Sequence, residues 1–331
     1  MSHRKWFATA AFALAVGLAG NPTVHASQKW DFALAYPPGN FMVKSAERFA
    51  AEVEKATDGA VKITVHPGGA LGYKGPEMLG VIRDGLVPMG SMLLNQQVGV
   101  EPFFGIESVP YLVSGFTEIR AMQLFARPIY DELAAKHNQK ILYLLPWPGQ
   151  NVHAKSQLTK MADFKSLKIR TVDRNGSEFF SKLGAVAVQM PWGEVVPSLA
   201  SGAINAVTTS SSSGVDGKFW EFLGYFNQIN WQSNSDMVTV NLNRWRSLTE
   251  AQRNAIETVA RRLEAEFWAT AIAEDEEKIK VLQKGGMKVV QPTPELKAEL
   301  QETARGSWDE FATRVPRAKP VIENYRRMVG K

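Results

Sequence analysis

Residues 163–213 read DFKSLKIRTVDRNGSEFFSKLGAVAVQMPWGEVVPSLASGAINAVTTSSSS, and this stretch decides the predicted fold. A strand-forming run, LKIRTV, is followed by a helical pattern over residues 174–183 that Gly184 ends. A second strand, AVAVQM, a helix over residues 194–201 and a third strand, AINAV, come next. Strands that alternate with helices at such short spacing predict a parallel sheet with right-handed crossover connections.

The ends of these strands carry the residues that could bind a ligand, because ligands of such sheets sit beyond the carboxyl ends of the strands. Trp192 follows the second strand, a hydroxyl-rich tract over residues 208–213 follows the third, and Arg170 lies near the end of the first. Arginines are mostly exposed, so spacing alone favours a surface salt bridge for Arg170. The alternative is a cleft arginine, whose planar fork of donors fits a carboxylate in a way that lysine cannot reproduce.

The first 26 residues have the pattern of an export signal rather than of folded structure. A basic start at Arg4 and Lys5 precedes the apolar run AAFALAVGLAG, and the segment ends in small residues at Ala26. A membrane anchor is the alternative, but the apolar run is too short to span a bilayer. We therefore expect cleavage after about Ala26 and a protein of the periplasm that is not itself membrane-spanning.

Composition excludes several classes of protein. The chain of 331 residues is long enough for two lobes with substantial cores. Its formal net charge of +5 is a weak bias without a basic block, so we expect no nucleic-acid partner. It contains no cysteine, which excludes a disulfide scaffold and fits a periplasmic protein that needs no oxidative folding.

The rest of the chain repeats the same layout and then becomes helical. Residues 30–94 again alternate strand, helix, strand, helix and strand. Residues 116–136 predict a helical region broken near Pro128, and the apolar run KILYLLP after it predicts a buried strand. Residues 249–283 predict one long helix, opened by a capping box, that could pack across both lobes, and residues 294–328 are predicted to be helical.

Nothing in the sequence argues for catalysis. The three histidines beyond residue 26, His66, His137 and His153, lie far apart and lack the spacing of a metal site. The serines at 210–213 lack the Gly-x-Ser-x-Gly elbow, and no glycine loop has a nucleotide-binding spacing. We therefore predict no enzyme activity, no metal and no cofactor.

Aromatic and neutral polar residues also follow the strands. Trp147 and Trp192 each lie in a proline- or glycine-containing turn after a strand, where core packing is the commoner role and ligand binding the alternative. Neutral hydrogen-bonding groups stand at adjacent strand ends: Gln150, Asn151, Thr208, Thr209 and Ser210. A cation, flat apolar walls and neutral polar groups suit an organic acid with an apolar or aromatic body.

Three ordered blocks resemble the periplasmic solute-binding proteins of TRAP (tripartite ATP-independent periplasmic) transporters. They are DFKSLKIRT at 163–171, LGAVAVQMPWGEV at 183–195 and LASGAINAV at 199–207, and the likeness extends over the rest of the chain beyond residue 26. The resemblance implies an α/β periplasmic binding protein fold of two lobes, with crossing strands and a long helix that spans both. It also implies a small-molecule carboxylate ligand and two TRAP membrane subunits as partners, with uptake driven by an ion gradient.

The resemblance also implies roles for single residues. Arg170 matches the carboxylate-binding arginine of the family, and Trp192 matches a cleft aromatic beside Glu194, whose own role is structural. Many sugar-acid-binding relatives carry a second arginine where this chain has Gln150, and an asparagine where it has Thr209. One cation instead of two favours a monocarboxylate with an aromatic or branched apolar body. The alternatives are a ligand that is a sugar acid or a C4-dicarboxylate, or a role as the ligand-binding partner of a periplasmic sensor.

The predicted organisation divides the chain at residues 26, 149 and 240. Residues 1–26 form the signal peptide, 27–149 mainly lobe 1, and 150–240 mainly lobe 2. Residues 241–331 form the spanning helix, a last strand that returns to a lobe, and C-terminal helices. The predicted ligand contacts are Arg170, Trp192, Gln150, Asn151, Trp147, Thr209, Ser210, Tyr36 and Tyr73.

Overall fold

The computed structural model describes residues 27–331, in which two β-sheets each carry helices. The predicted signal segment 1–26 and its cleavage after about Ala26 lie outside the described residues. Among the helices of residues 27–331, none combines the length and the apolar character that crossing a bilayer requires.

Eleven strands form the two sheets in this part of the chain. They are β1 (Gln28–Ala33), β2 (Val61–His66), β3 (Met89–Leu93), β4 (Gln139–Pro146), β5 (Gln150–Ala154), β6 (Lys168–Thr171), β7 (Val186–Gln189), β8 (Ala206–Thr209), β9 (Tyr225–Gln232), β10 (Ser235–Asn241) and β11 (Lys288–Val290). One sheet has the order β2-β1-β3-β10-β4, and with its helices we call it lobe 1. The other has the order β11-β9-β5-β8-β6-β7, and with its helices we call it lobe 2.

The helices pack on these sheets or connect them. They are α1 (Phe41–Ala56), α2 (Met78–Arg83), α3 (Phe116–Lys136), α4 (Arg174–Lys182), α5 (Val195–Ala200), α6 (Ser211–Asp216), α7 (Leu242–Arg246), α8 (Glu250–Lys284), α9 (Pro294–Arg314) and α10 (Lys319–Val329).

The two lobes share one local topology. In lobe 1, β1 pairs in parallel with both β2 and β3, and in lobe 2, β6 pairs in parallel with both β7 and β8. Each unit alternates strands with helices, so its first strand lies between the two strands that follow. This confirms the parallel arrangement predicted for residues 163–213 and its architectural repeat near the N-terminus.

Two short segments, which we call the hinge, carry the chain between the sheets. Residues 147–149 connect β4 of lobe 1 to β5 of lobe 2, and residues 233–234 connect β9 of lobe 2 back to β10 of lobe 1. The segments run side by side, and the backbone N–H of Trp147 donates a hydrogen bond to the Asn234 carbonyl at 2.9 Å. Crossing strands of this kind let two lobes move about a common edge.

Helix α8 packs on both lobes, as predicted. Ile256 and Phe267 belong to the apolar core of lobe 1, whereas Leu282 belongs to an apolar cluster of lobe 2. Between them the helix presents Asp275, which accepts a hydrogen bond from the Ser211 hydroxyl at 2.6 Å. The apolar stripe of α8 is thus interrupted where the helix passes from one lobe to the other.

Two predicted helices differ in part from the helices of the structure. Helix α3 continues through Pro128, so the predicted break is wrong. Proline removes the donor to the Leu124 carbonyl, but Leu124 lies on the exposed face of the helix, where water replaces that donor. Residues 294–328 are helical as predicted but divided at Val315, whose backbone leaves the helical region that the following Pro316 disfavours.

Candidate functional site

A cavity lies between the two lobes, beyond the carboxyl ends of β1, β6, β7 and β8. Its empty space, including the mouth, is about 430 Å³. Lobe 1 contributes Tyr36, Leu93 and Gln96, the hinge and its flanks contribute Trp147, Gln150 and Asn234, and lobe 2 contributes Arg170, Val172, Trp192, Thr209, Ser213 and Asp216. The sheet topology therefore brings together residues that are far apart in the chain, as expected for strand ends in an α/β protein.

Arg170 lines this cavity and does not lie on the protein surface. Its strand has neighbours on both sides, and the residue is only 2% exposed. Its Nε donates to the Met190 carbonyl at 3.1 Å, and within residues 27–331 no acceptor pairs with its two terminal nitrogens. Burial lowers the pKa of Arg170 to about 10, so the side chain is still cationic at neutral pH. The two terminal nitrogens of the charged guanidinium are therefore available to a ligand in the cavity.

The carboxylate of Asp173 interacts electrostatically with Arg170 but forms no hydrogen bond with its terminal nitrogens among the described residues. Its negative charge opposes the effect of burial on the pKa of Arg170. Its own oxygens are occupied, since Oδ1 accepts from the Gly176 backbone N–H at 2.9 Å and caps α4. Oδ2 accepts from Asn95 at 3.0 Å and from Ser108, both in segments that precede β4. Asp173 therefore stabilises the cation and leaves its terminal nitrogens unpaired.

An aromatic wall on the lobe 1 side is held by a second buried carboxylate. The rings of Tyr36 and Trp147 meet edge to face with centroids 5.0 Å apart. The Tyr36 hydroxyl and the Trp147 indole N–H both donate to Asp236 Oδ1, at 2.7 and 2.8 Å, and Ser91 donates to Oδ2. Burial raises the pKa of Asp236, and the three donors oppose that effect. The hydrogen bonds fix the positions of both rings, which line the cavity.

The opposite wall carries Trp192 and neutral polar groups. Trp192 is half-buried in a short turn after β7, with its ring centroid 6.1 Å from that of Phe219. The Gln150 amide donates to the Pro148 carbonyl at 3.0 Å, which fixes the side chain at the cavity edge. Asn234 Oδ1 is buried and meets no donor among the described residues. Neutral groups with unused hydrogen-bonding capacity thus surround the guanidinium.

Three predicted ligand contacts lie outside the cavity. The Asn151 side chain is used by the backbone, since it donates to the Gly149 carbonyl at 3.0 Å and accepts from the Asn230 N–H at 2.8 Å. Ser210 caps α6 through the Ser213 N–H at 3.2 Å. Tyr73 lines a neighbouring groove that contains Trp192 and Glu194 but not Arg170. The other six predicted contacts line the cavity.

The cavity also contains residues that sequence reasoning missed. Gln96, Asn234 and Asp216 are polar lining residues, and Leu93 and Val172 are apolar ones. Asp216 lies three residues beyond the hydroxyl-rich tract 208–213, and the structure folds residues 211–216 into α6, which places Asp216 among the lining residues. Leu93 ends β3, and Gln96, Val172 and Asn234 follow strands, so proximity to strand ends was the one available signal.

The cavity offers a cation, a carboxylate and neutral hydrogen-bonding groups, and no histidine is among its lining residues in the described structure. His153 is fully buried outside it, where burial lowers its pKa to about 3 and its Nε2 faces the Ser210 carbonyl at 3.1 Å. The ring therefore stays neutral and packs against Phe219 and Phe226. Over the described ranges, His, Asp and Glu side chains do not gather in threes that could hold a metal ion.

Two α/β lobes joined by a hinge, with a buried cation in the cavity between them, define a two-lobed solute-binding protein. The family model of the bacterial extracellular solute-binding proteins, family 7, matches residues 32–314. The chain belongs to this family, whose members are the solute-binding proteins of TRAP transporters. The family consists of substrate-binding transport proteins rather than enzymes, and its named members are periplasmic.

Relatives and solved structures of this class cover most of the chain. A monocarboxylate 2-oxoacid-binding periplasmic protein of Nostoc is 24% identical and covers 93% of this chain and 85% of its own length. The C4-dicarboxylate-binding periplasmic protein DctP of Rhodobacter capsulatus is 27% identical, with coverages of 87% and 83%. A Bordetella pertussis extracytoplasmic solute receptor binding pyroglutamic acid, DctP7, is 28% identical with a TM-score of 0.87, covering 91% of this chain and 100% of that one.

Proposed function

We propose that this protein captures a compact monocarboxylate between its lobes and delivers it to the TRAP membrane subunits. The observation that carries the proposal is the guanidinium of Arg170, which is buried, charged and unpaired at both terminal nitrogens. Burying an unpaired charge is costly unless a partner of opposite charge completes its hydrogen bonds. A ligand carboxylate provides two acceptors in the geometry that a guanidinium fork prefers.

The cavity supports one ligand carboxylate rather than two. Arg170 is the one lysine or arginine among the residues that line it in the described structure. Gln150, where many sugar-acid-binding relatives carry a second arginine, is neutral and donates to the backbone. A second carboxylate would lie against neutral amides and hydroxyls in a space largely shielded from water. Its desolvation would remain uncompensated, so dicarboxylates should bind worse than monocarboxylates.

The walls favour a small body with a flat or branched apolar part. Tyr36, Trp147 and Trp192 present ring surfaces, and the space of about 430 Å³ includes the open mouth. Pyroglutamate is the first candidate, because receptors that bind it are 26–28% identical to this chain. Aromatic and branched monocarboxylates are the next candidates. The structures with bound glucuronate are 16–19% identical and share only the fold.

Closure of the lobes supplies the transport step in this proposal. A ligand held by Arg170 of lobe 2 and packed on Tyr36 of lobe 1 interacts fully only when the lobes are closed. Such a ligand shifts the population toward the closed form in proportion to its preference for that form. The membrane subunits would then receive the closed protein in the periplasm, to which the proposed signal segment directs it.

Isothermal titration calorimetry with five acids tests the proposal. The panel is pyroglutamate, phenylacetate, isovalerate, succinate and glucuronate. We expect at least one of the three monocarboxylates to bind more tightly than succinate and glucuronate, and to raise the melting temperature by mass action. Tighter binding of succinate or glucuronate than of all three monocarboxylates would contradict the proposal. A ligand that co-purifies and is identified by mass spectrometry provides an independent check.

A further inference from the structure

The cavity contains an obligate acceptor at a place distinct from Arg170. Asp216 is the one carboxylate among its lining residues in the described structure. Its Oδ2 accepts a hydrogen bond from Asn40 of lobe 1 at 2.6 Å, and Oδ1 meets no donor within residues 27–331. The site therefore presents a free fork of donors and a free anionic acceptor to the same ligand.

Asp216 is not the counterion of Arg170. No ion pair joins the two side chains among the described residues, and the carboxylate that acts on Arg170 is Asp173. The cations that act on Asp216 are Lys278 and Lys44, neither of which lines the cavity. Positive and negative charge are thus held apart across the cavity, and each keeps part of its hydrogen-bonding capacity.

The other polar groups of the cavity cannot replace Asp216 in this role. The amides of Gln96, Gln150 and Asn234 and the hydroxyls of Thr209 and Ser213 can each donate or accept, so they adapt to several ligands. An ionised carboxylate only accepts. Burial raises the pKa of Asp216, because the charged form is partly desolvated and needs donors in place of water. Asn40 already donates to one oxygen of this carboxylate, and a ligand donor would provide the hydrogen bond to the other oxygen.

We propose that Asp216 determines specificity by accepting a hydrogen bond from an N–H group of the ligand. The ligand class is then a compact monocarboxylate that carries a lactam or other N–H away from its carboxylate. This inference rests on the proposed function, since Arg170 must hold the carboxylate for the N–H to reach Asp216.

A purely structural role for Asp216 makes a different prediction. The hydrogen bond between Asn40 and Asp216 joins the lobes, so in a purely structural role it would act as a clasp, a contact that stabilises the closed form without touching the ligand. Loss of a clasp would weaken every ligand equally. Asn40→Ser is the matched control, because serine can still cap α1 through the Met42 N–H but is too short to reach Asp216.

The test compares pyroglutamate with its lactone analogue, in which a ring oxygen replaces the N–H group. Calorimetry is carried out on the wild type, Asp216→Asn and Asn40→Ser. We expect the wild type to prefer the lactam on the order of 10- to 100-fold, the range for a hydrogen bond to a charged group. Asp216→Asn should reduce that preference to about threefold or less, and Asn40→Ser should weaken both ligands by the same factor.

Each outcome separates this inference from the proposed function. Equal binding of lactam and lactone by the wild type overturns the role of Asp216, as does equal weakening of both ligands by Asp216→Asn. In both cases the proposed function stands if Arg170→Ala still abolishes binding. Binding of phenylacetate or isovalerate without any binding of pyroglutamate also overturns the role of Asp216. An unchanged affinity for pyroglutamate in Arg170→Ala overturns the proposed function itself.

Discussion

Two buried charges of opposite sign, one in each lobe, differ in how many hydrogen bonds the rest of the chain gives them. Asp236 on β10 is 0% exposed and accepts hydrogen bonds from Tyr36, Trp147 and Ser91. Arg170 on β6 is 2% exposed and uses only Nε, toward a backbone carbonyl. The chain itself completes the hydrogen bonds of Asp236 and leaves those of Arg170 open. A buried charge that the protein satisfies belongs to the scaffold, and one that it leaves unsatisfied indicates the site.

The two residues also differ in whether they contribute to stability or to binding. Asp236 stabilises the positions of two aromatic walls, so its removal should be visible in the unfolded–folded equilibrium. Arg170 contributes little to that equilibrium, because the charge of Asp173 offsets its desolvation only in part until a ligand arrives. Variants of the two residues should therefore affect different measurements.

Arg170→Ala should have the largest effect on binding. Removing the charge partner of a bound carboxylate costs about 2 to 5 kcal/mol of affinity. The free energy of unfolding without ligand should change much less than the affinity, because the terminal nitrogens of Arg170 are unpaired and Asp173 keeps its own three donors. Calorimetry and urea denaturation measure the two quantities.

The matched control for this variant is Arg174→Ala, four residues further along the chain. Arg174 is exposed and pairs with Glu178 on the surface of α4. Its removal should leave ligand affinity unchanged. A loss of affinity as large as that of Arg170→Ala would show that any nearby positive charge suffices, and the special role of Arg170 would be lost.

Asp236→Ala should mainly lower stability, by about 3 kcal/mol. The buried Trp147 N–H and Ser91 hydroxyl lose their acceptor, and each unsatisfied buried group costs about 1 to 3 kcal/mol. Removing the exposed Asp31 by alanine substitution is the control, and it should cost less than about 1 kcal/mol. An unaltered urea midpoint in Asp236→Ala would show that Asp236 is not the scaffold charge described above.

Glu107→Gln should change how stability depends on pH. Burial raises the pKa of Glu107 to about 7, and hydrogen bonding by Gln123, Ser235 and Tyr130 opposes that effect. Between pH 4.5 and about 7 the unfolded chain has released this proton while the native protein keeps it. The free energy of unfolding therefore falls as pH rises through this window.

The size of this pH effect is about 2 kcal/mol. The full change in pKa corresponds to about 3 kcal/mol, and relaxation around a buried carboxylate reduces it. Glutamine does not titrate, so the free energy of unfolding of the variant should lack this decrease. Above pH 7 it should therefore rise relative to that of the wild type. Denaturation curves at pH 5 and pH 8 measure it. The same pH slope in both proteins would assign the decrease to other groups.

Lys74→Ala should have the smallest effect, at most about 1 kcal/mol on affinity. Lys74 of lobe 1 pairs with Glu194 of lobe 2 at 3.1 Å, with both side chains more than half exposed. Exposed ion pairs contribute little, and salt screens them. We expect a loss of at most about fivefold at low salt that disappears at 1 M salt. A larger, salt-independent loss would place this pair among the buried contacts that hold the lobes closed.

Much of the architecture follows from local patterns. The strand–helix–strand–helix–strand unit at 163–213 and its repeat near the N-terminus are both present, because hydrophobic periodicity and glycine stops act within a few residues. The capping box at Thr249 opens α8 as predicted, since that motif is completed within four residues. The break at Pro128 is absent because water replaces a donor on the exposed face of the helix.

The sequence by itself also indicated Arg170, Trp192, Trp147, Gln150, Thr209 and Tyr36, which stand at or near strand ends and line the cavity. Only the tertiary structure decided that Arg170 is buried with free terminal nitrogens and that Asp236 is saturated by donors. It alone turned Asp216 into the cavity and directed Asn151 and Ser210 to backbone roles. The contacts concerned join residues 200 positions apart for Tyr36 and Asp236, and 176 apart for Asn40 and Asp216. No local pattern encodes such pairs, because they form only when the sheets assemble and the two lobes meet.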